Sequence, residues 1–216
     1  SHTITYIAVD DNFNSSNCTQ IVLVTGTTTI TITCPPTLVL NNDPGQCSKL
    51  ISQLYWLEPA NQPTQLGCGA VTFGKIRGDG LTFADPFPVG ETTVTWRAIN
   101  GLGEIVDECE QIVRIVDNEN PVITCPANVE VGNDAGLCGA TITITTPVPT
   151  DNCGVLSIVN DFNNTSNASG FYPVGTTTVT WTVTDIHNNV STCQQIVKVN
   201  DVQQPVIACP VAVNAD

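Results

Sequence analysis

Apolar and polar residues alternate along much of this chain with a period of two, which is typical of half-buried β-strands. The clearest segment is residues 178–184, in which Val179, Trp181 and Val183 alternate with threonines. Successive side chains of a strand point to opposite faces. We therefore expect the two valines and the tryptophan to face a core, and the threonines to face outward.

Similar short segments recur between turns rich in Gly, Pro, Asn and Asp, which end strands and begin loops. About seven of them fit into roughly 85 residues, which is the pattern of an immunoglobulin-like sandwich. The pattern predicts an all-β protein built from tandem immunoglobulin-like β-sandwich domains in a linear array.

A cysteine spacing reveals an internal repeat. At three places a Cys-Pro pair begins 16 residues after another cysteine: Cys18 to Cys34, Cys109 to Cys125, and Cys193 to Cys209. Three matched spacings indicate a repeat architecture. We interpret residues 1–26 as the C-terminal strands of a preceding repeat, 27–117 and 118–201 as two complete repeats, and 202–216 as the first strand of a following repeat.

The net charge and the cysteine content restrict the partners and the location that we expect for the protein. The formal net charge of −14 would repel phosphate backbones and anionic headgroups, so we expect no nucleic-acid partner and no membrane insertion. Ten cysteines without a C-x-x-C pair favour disulfides over zinc and predict an extracellular or cell-surface location. Glycosylation sequons begin at Asn164, Asn167 and Asn189.

Several motifs together carry a family resemblance. Asp-x-Gly-x-Cys occurs at residues 43–47 and 134–138, Asp-Asn-Cys at 151–153, and Thr-Thr-Val-Thr-Trp ends at Trp96 and Trp181. With Cys-Pro opening each repeat, this combination resembles the hyalin repeat, or HYR, domain over nearly the whole chain. The resemblance implies an extracellular immunoglobulin-like module of matrix, adhesion or bacterial surface proteins, and the cysteine set is most similar to that of the bacterial arrays.

Sandwich topology suggests the first disulfides. The first and last strands of such a domain both start at the same pole, which places Cys34 near Cys109 and Cys125 near Cys193. We predict these two bonds. Each closes a long loop and contributes about 4 kcal/mol in the loop-entropy description.

The remaining cysteines of the two repeats leave two alternatives. A straight strand would hold Cys138 and Cys153 roughly 25 Å apart, whereas a disulfide needs Cα atoms within about 7 Å. If the chain folds back through its prolines, local bonds Cys47–Cys68 and Cys138–Cys153 form, and these are slightly preferred. Otherwise the bond crosses the boundary as Cys47–Cys153.

We expect a different kind of pairing for Cys18 and Cys209, which lie outside the two complete repeats. Cys18 belongs to the last-strand class and Cys209 to the first-strand class, which are the two classes that pair within a repeat. We expect both to pair with cysteines of another repeat or of another subunit.

The boundary between the repeats is the candidate metal site. Asp117, Glu119 and Asn120 offer carboxylate and amide oxygens, which suit Ca²⁺, at a position where an ion would stiffen an array. An acidic turn without an ion is the competing interpretation. No cofactor is required by any motif, and calcium is the one cofactor that the sequence suggests.

Catalysis is not predicted, because neither His2 nor His187 is accompanied by a nucleophile in any motif. We predict an extracellular structural or adhesive repeat protein that forms a stalk, surface fibre or filament, with neighbouring repeats or identical subunits as partners. The alternative is a carbohydrate-binding or spacer module of a secreted enzyme or receptor. In that case Tyr55 and Trp56 would form a platform for surface glycans.

Overall fold

The computed structural model describes residues 2–22 and 29–209. These residues form sixteen β-strands and two short 3₁₀ helices and contain no α-helix, which confirms the all-β prediction. In chain order the elements are β1 (His2–Val9), β2 (Ser15–Val22), β3 (Thr31–Thr33), β4 (Leu38–Asn41), β5 (Ser48–Lys49), the 3₁₀ helices Tyr55–Leu57 and Pro59–Asn61, β6 (Thr64–Leu66), β7 (Thr72–Arg77), β8 (Phe87–Pro88), β9 (Gly90–Ile99), β10 (Ile105–Val116), β11 (Val129–Gly132), β12 (Gly139–Ile142), β13 (Val155–Asn160), β14 (Gly170–Pro173), β15 (Gly175–Asp185) and β16 (Val190–Asn200).

The chain divides into two compact units. The first comprises the described residues of Ser1–Pro36 together with Gln53–Thr82 and Thr93–Ile112. The second comprises Thr37–Ser52, Phe83–Thr92 and the described residues of Val113–Asp216. The second unit therefore contains the whole second repeat and also the segment around Cys47.

The second repeat is a two-layered β-structure. One layer is a four-stranded sheet in the order β11-β16-β15-β13, and the other is the pair β12-β14. β11 runs parallel to β16, whereas the other pairs are antiparallel. Val179, Trp181 and Val183 on β15 are fully buried, as the alternating pattern predicts.

A buried tryptophan is held in the same way in both repeats. In the second, Trp181 Nε1 donates to Gln195 Oε1 at 3.4 Å, and Gln195 Nε2 donates to the carbonyl of Ala127 at 2.8 Å. In the first, Trp96 donates to Gln111 at 3.0 Å, and Gln111 donates to the carbonyl of residue 36 at 2.9 Å. Each glutamine satisfies two buried polar groups, so the indole can lie in the core without an orphaned N–H.

The first repeat has the corresponding strand order β4-β10-β9-β7, with β4 parallel to β10. An insertion makes the segment from Cys47 to Cys68 six residues longer than the corresponding segment from Cys138 to Cys153, and this segment contains the two 3₁₀ helices. Trp56 on the first of these helices packs against Trp96, with their ring centroids 6.3 Å apart. The insertion therefore enlarges the core of the first repeat.

The N-terminal hairpin repeats the register of the last two strands of the second repeat. β1 pairs with β2 so that Tyr6 lies opposite Cys18, and β15 pairs with β16 so that Trp181 lies opposite Cys193. The described side chains of the hairpin are exposed, including Tyr6 at 53%. Its assignment to a preceding repeat stays a prediction.

The first strand of the second repeat is short, although apolar residues recur from residue 122 to residue 131. Val122 forms only an isolated bridge with Thr150, and the regular strand starts at Val129. Pro126 has no N–H for a strand ladder, which explains the interruption. Residues 201–209 form no strand, and the rest of the predicted following strand lies outside the described residues. Within the described ranges, no helix has the length and apolar character to cross a membrane.

Candidate functional site

One disulfide in each repeat ties the ends of that repeat together. Cys34 bonds to Cys109 with a Cα–Cα distance of 5.6 Å, and Cys125 bonds to Cys193 with a Cα–Cα distance of 5.7 Å. These are the two pairs expected from the sandwich topology. In each repeat the bond joins the Cys-Pro segment to the last strand.

The third disulfide crosses the boundary between the repeats. Cys47 bonds to Cys153, 106 residues away, with a Cα–Cα distance of 4.7 Å. The slightly preferred local pairing of Cys47 with Cys68 and of Cys138 with Cys153 is therefore wrong. The bridge of Thr150 to Val122 brings the start of the Asp-Asn-Cys turn to the boundary, whereas Cys138 lies immediately before β12.

The other cysteines in the described residues are exposed. Cys68 and Cys138 take part in none of the three disulfides, and neither do Cys18 and Cys209. For Cys18 and Cys209 the expected pairing with another repeat or subunit stays a prediction.

The turn that carries Cys47 is held by the linker that follows the first repeat. The Glu119 carboxylate accepts hydrogen bonds from the Gly45 backbone N–H, at 2.8 and 3.0 Å to its two oxygens, and from Asn42 Nδ2 at 2.7 Å. Asn42 Nδ2 also donates to the carbonyl of Gln46 at 2.9 Å. Gly45 has a φ of +71°, a left-handed conformation that glycine adopts without strain.

The Asp-Asn-Cys turn meets this segment from the second repeat. Asp151 Oδ1 accepts the backbone N–H groups of Cys153 and Gly154, both at 2.9 Å, so the carboxylate shapes the turn that presents the cysteine. Asn152 Nδ2 donates to the carbonyl of Gln46 at 3.1 Å and lies 3.4 Å from Asp117 Oδ1. The disulfide is thus flanked by hydrogen bonds between the two repeats.

A second set of contacts surrounds Asp117, whose side chain is fully buried. Its Oδ2 lies 3.1 Å from His187 Nδ1, and its backbone carbonyl accepts a hydrogen bond from Asn189 Nδ2 at 3.3 Å. His187 and Asn189 belong to the turn between β15 and β16, which Asp185 organises by accepting their backbone N–H groups. We call the group formed by Asp117, Asp151, Asn152, Asp185, His187 and Asn189, together with Glu119 and the Cys47–Cys153 bond, the seam cluster.

Three carboxylates of the seam cluster approach one another closely. Oxygen atoms of Asp117, Asp151 and Asp185 lie within 4.8 Å of each other. Asp151 Oδ2 is buried, and no residue in the described ranges donates a hydrogen bond to it. Burial raises the pKa of Asp185, but hydrogen bonds from the Asn189 side chain and from the backbone N–H groups of Asn189 and His187 outweigh it, so the net pKa is lowered. Asp185 is therefore held in its charged form.

The calcium ligands expected from the sequence are only partly brought together. Asp117 is grouped with Asp151 and Asp185, whereas Glu119 caps the turn at Gly45 and Asn120 is exposed. Neither Asp151 nor Asp185 adjoins Asp117 in the sequence, so a search for acidic runs does not find them. The Asp-Asn-Cys motif is the sequence signal that marks Asp151.

The structure also places the residues of the predicted glycan platform and of the predicted glycosylation sites. Trp56 is only 1% exposed and Tyr55 is half-buried, so the proposed glycan platform is wrong: the tryptophan packs inward on Trp96. The glycosylation candidates Asn164 and Asn167 are exposed, and their modification stays a prediction. Asn189 Nδ2 donates to Asp185 Oδ2 at 2.7 Å and to the Asp117 carbonyl, and its glycosylation also stays a prediction.

The fold and the disulfides define a class of protein: the extracellular type of immunoglobulin-like β-module whose ends are joined by a disulfide. When the sequence is compared with known protein families, the match covers the second repeat. Residues 116–199 match the HYR domain model, so this segment of the chain is an HYR domain.

Known relatives include two sea urchin proteins named hyalin. The chain is 31% identical over 189 residues to hyalin of Strongylocentrotus purpuratus, covering 84% of this chain and 15% of that protein. It is 29% identical over 218 residues to hyalin of Lytechinus variegatus, covering 96% of this chain and 38% of that protein. The chain thus spans well under half the length of these relatives. Among solved structures, protocadherin gamma C5 EC1-3 has a TM-score of 0.40 at 11% identity, covering 92% of this chain and 77% of that one.

Proposed function

We propose that this chain is a load-bearing segment of an extracellular structural and adhesive array, such as a stalk, surface fibre or filament. Its partners are neighbouring repeats or identical subunits, and its place is outside the cell or on the cell surface. The observation that carries this proposal is the connectivity of the disulfides, which determines how a pulling force would travel along the chain.

Force applied at the two ends would bypass most of each repeat. The Cys34–Cys109 bond carries the force past a loop of 75 residues, and the Cys125–Cys193 bond carries it past a loop of 68 residues, so neither loop is stretched. The shortest connection between the two bonds is the 16 residues from Cys109 to Cys125. At about 3.5 Å per extended residue, this connection reaches roughly 56 Å, whereas the bypassed loops would release roughly 260 and 240 Å. The disulfides therefore limit extension even when the sandwiches unfold.

The third disulfide adds a second covalent connection across the boundary. A single linker allows rotation about its backbone bonds, but Cys47–Cys153 ties the turn of one repeat to the turn of the next at another point. Glu119 and Asn152 hold the two turns in place through hydrogen bonds. A boundary with two connections resists bending, which suits a stalk or fibre.

Single-molecule force spectroscopy on the full chain tests the load path. For the oxidised protein we expect no extension step beyond about 60 Å between Cys34 and Cys193, since that segment holds the 16-residue connection. Addition of a reductant should produce two longer steps of roughly 260 and 240 Å.

A matched pair of variants separates the load path from nonspecific effects. Replacement of Cys34, Cys47, Cys109 and Cys153 by serine leaves only the Cys125–Cys193 bond of the three and should release only the longer step under oxidising conditions, whereas Cys18→Ser should leave the trace unchanged. Full-length unfolding steps in the oxidised native chain would contradict the proposal. Electron microscopy of the native assembly then tests the fibre itself: rods or filaments are expected, and isolated globular particles would refute the fibre.

We further propose that Ca²⁺ binds among the carboxylates of the seam cluster. None of the described residues donates a hydrogen bond to the buried Asp151 Oδ2. A carboxylate oxygen of Asp151 also lies within 4.8 Å of oxygens of Asp117 and Asp185, and these charges would repel one another without a counter-charge. Hard oxygen ligands of this kind suit Ca²⁺. Such an ion would reinforce the same boundary that the third disulfide crosses.

Thermal unfolding with and without millimolar Ca²⁺ tests this second proposal. The native chain should gain stability with Ca²⁺, and Asp151→Asn should lose that gain. Asp201→Asn, at an exposed acidic residue outside the cluster, should keep it. Absence of any shift or heat of binding in the native chain would end the proposal.

A further inference from the structure

The end of the second repeat has the same local structure as the boundary where Cys47 is bonded. We propose that this end, which we call the second seam (residues 133–138 and 201–205), binds the Asp-Asn-Cys turn of a further HYR-type repeat joined after Pro205. The bond formed is a disulfide between Cys138 Sγ and the cysteine of that turn. This inference rests on the proposed array function, because it names the partner at the next boundary.

The turns before Cys47 and Cys138 match in backbone conformation. Gly45 has a φ of +71° and Gly136 has a φ of +73°, each two residues before its cysteine. The carbonyl of Cys47 accepts a hydrogen bond from the N–H of Val89 at 3.2 Å, and that of Cys138 accepts one from Val174 at 3.0 Å. The two cysteines are therefore presented by the same type of turn.

The side chains that stabilise the turns also correspond. Asn42 Nδ2 donates to the carbonyl of Gln46 at 2.9 Å, and Asn133 Nδ2 donates to the carbonyl of Leu137 at 2.8 Å. Asp43 accepts the backbone N–H of Leu50 at 2.8 Å, and Asp134 accepts that of Thr141 at 2.9 Å. The spacing between these corresponding residues is 91, as it is between Cys47 and Cys138.

The linker after each repeat makes the same contact with its turn. Glu119 accepts the N–H of Gly45 at 2.8 Å, and Gln203, two residues before a proline just as Glu119 is, accepts the N–H of Gly136 through its Oε1 at 3.1 Å. The second seam is thus already folded into the form that the first boundary has when Cys47 is bonded.

The two boundaries differ in what lies on them. At the first, Asn152 and Cys153 of the next repeat contact Gln46 and Cys47. At the second, Cys138 is exposed and borders a surface depression of about 490 Å³, lined also by Leu137, Gln203 and Pro205. Asp201 is exposed, whereas its counterpart Asp117 is buried under the turns of the second repeat. The depression is the position that an Asp-Asn-Cys turn occupies at the first boundary.

The bond formation balances as a thiol–disulfide exchange. The Cys138 thiol and the incoming cysteine thiol lose two protons and two electrons in total. A small-molecule disulfide, such as oxidised glutathione, accepts them in two exchange steps and leaves as two thiols. Docking of the turn first places the two sulfur atoms together, as the Asn152 contact does at the first boundary.

A chain extended by one natural repeat tests the proposal. Residues 1–205 are followed directly by residues 122–216, which keeps the second seam intact and places a second Asp-Asn-Cys turn after it. The sample is alkylated at low pH, digested without reduction by an Asp-specific protease and trypsin, and analysed by mass spectrometry. We expect a linked pair of peptides covering residues 134–150 and 151–160, which the native chain should lack.

Two variants assign this linkage. Cys153→Ser in the added copy should abolish the linked pair, and Cys138→Ser in the added copy should leave it, because the bonding Cys138 belongs to the original copy. The proposal is overturned if Cys138 of the original copy remains alkylatable while the Cys47–Cys153 bond forms normally. That result would leave the load path through Cys34–Cys109 and Cys125–Cys193 intact, so the two proposals fail separately.

A second measurement uses the native chain if the extended chain does not fold. The peptide Thr-Asp-Asn-Cys-Gly, activated as a thiopyridyl mixed disulfide, should label Cys138 about tenfold faster than Thr-Ala-Ala-Cys-Gly does, since docking adds hydrogen bonds. Cys18 and Cys209 should show no preference between the peptides. Equal labelling of Cys138 by both peptides would count against a docking surface.

Discussion

Removal of the boundary disulfide should lower the stability of the chain by a calculable amount. The change is the double substitution Cys47→Ser and Cys153→Ser, because a single substitution would leave a thiol that could exchange with other cysteines. The Cys47–Cys153 bond joins residues 106 apart in the sequence. Its effect on the unfolded chain is smaller than this separation suggests, because another disulfide already shortens the path.

The loop that the bond closes follows from the connectivity. From Cys47 the chain runs 13 residues back to Cys34, crosses to Cys109 through the disulfide, and continues 44 residues to Cys153. The effective loop is thus about 57 residues, for which the loop-entropy relation gives roughly 4 kcal/mol at 25 °C. We expect the double variant to lose this amount of unfolding free energy, with its hydrogen bonds across the boundary retained.

Equilibrium unfolding in urea, followed by tryptophan fluorescence, provides the assay. The midpoint should fall while the dependence on denaturant stays similar, because both proteins expose comparable surface on unfolding. Cys209→Ser is the matched control and should unfold like the native chain, since Cys209 takes part in none of the three disulfides. A loss of less than about 1 kcal/mol in the double variant would refute the loop-entropy argument.

Three further predictions concern the cores and the seam cluster. Trp56→Ala should lower the unfolding free energy by about 3–5 kcal/mol, because it empties a buried site, whereas Leu57→Ala on the exposed side of the same helix should change it by under about 0.5 kcal/mol; calorimetry distinguishes them, and equal effects would contradict the packing. Gln195→Ala should cost about 1–3 kcal/mol in chemical denaturation, since it removes the hydrogen-bond partner of the buried Trp181 indole; a neutral effect would show that the bond is dispensable. Asp185 has a lowered pKa in the folded chain, so its contribution is present above its unfolded pKa and is lost as pH falls through the folded pKa. Asp185→Asn should therefore flatten the acid side of the stability profile, and an unchanged profile would contradict this assignment.

The alternating pattern predicted the strands with long, regular periodicity. β15 follows the pattern of residues 178–184, and its inward residues are buried. The pattern could not show that residues 122–128 form only an isolated bridge, because Pro126 interrupts the hydrogen-bond ladder in an otherwise apolar segment. Nor could it reveal the glutamines at 111 and 195, whose role depends on an indole of the neighbouring strand.

The disulfide across the boundary was harder to predict from the sequence than the disulfides within each repeat. Topology within one sandwich was enough to suggest Cys34–Cys109, because both cysteines belong to one repeat. Cys47–Cys153 depends on how two turns from different repeats meet, which the spacing within a repeat does not describe. Similarly, Asp185 joins Asp117 only through the turn between β15 and β16, so their proximity has no counterpart in the linear sequence.

The most direct test of the account is a disulfide map of the native, unreduced chain. An Asp-specific protease together with trypsin places Cys47, Cys68, Cys138 and Cys153 on four different peptides, covering residues 43–49, 50–75, 134–150 and 151–160. We expect the first and last of these peptides to be linked to each other. A linkage of residues 43–49 to 50–75, or of residues 134–150 to 151–160, would contradict a covalent connection across the boundary.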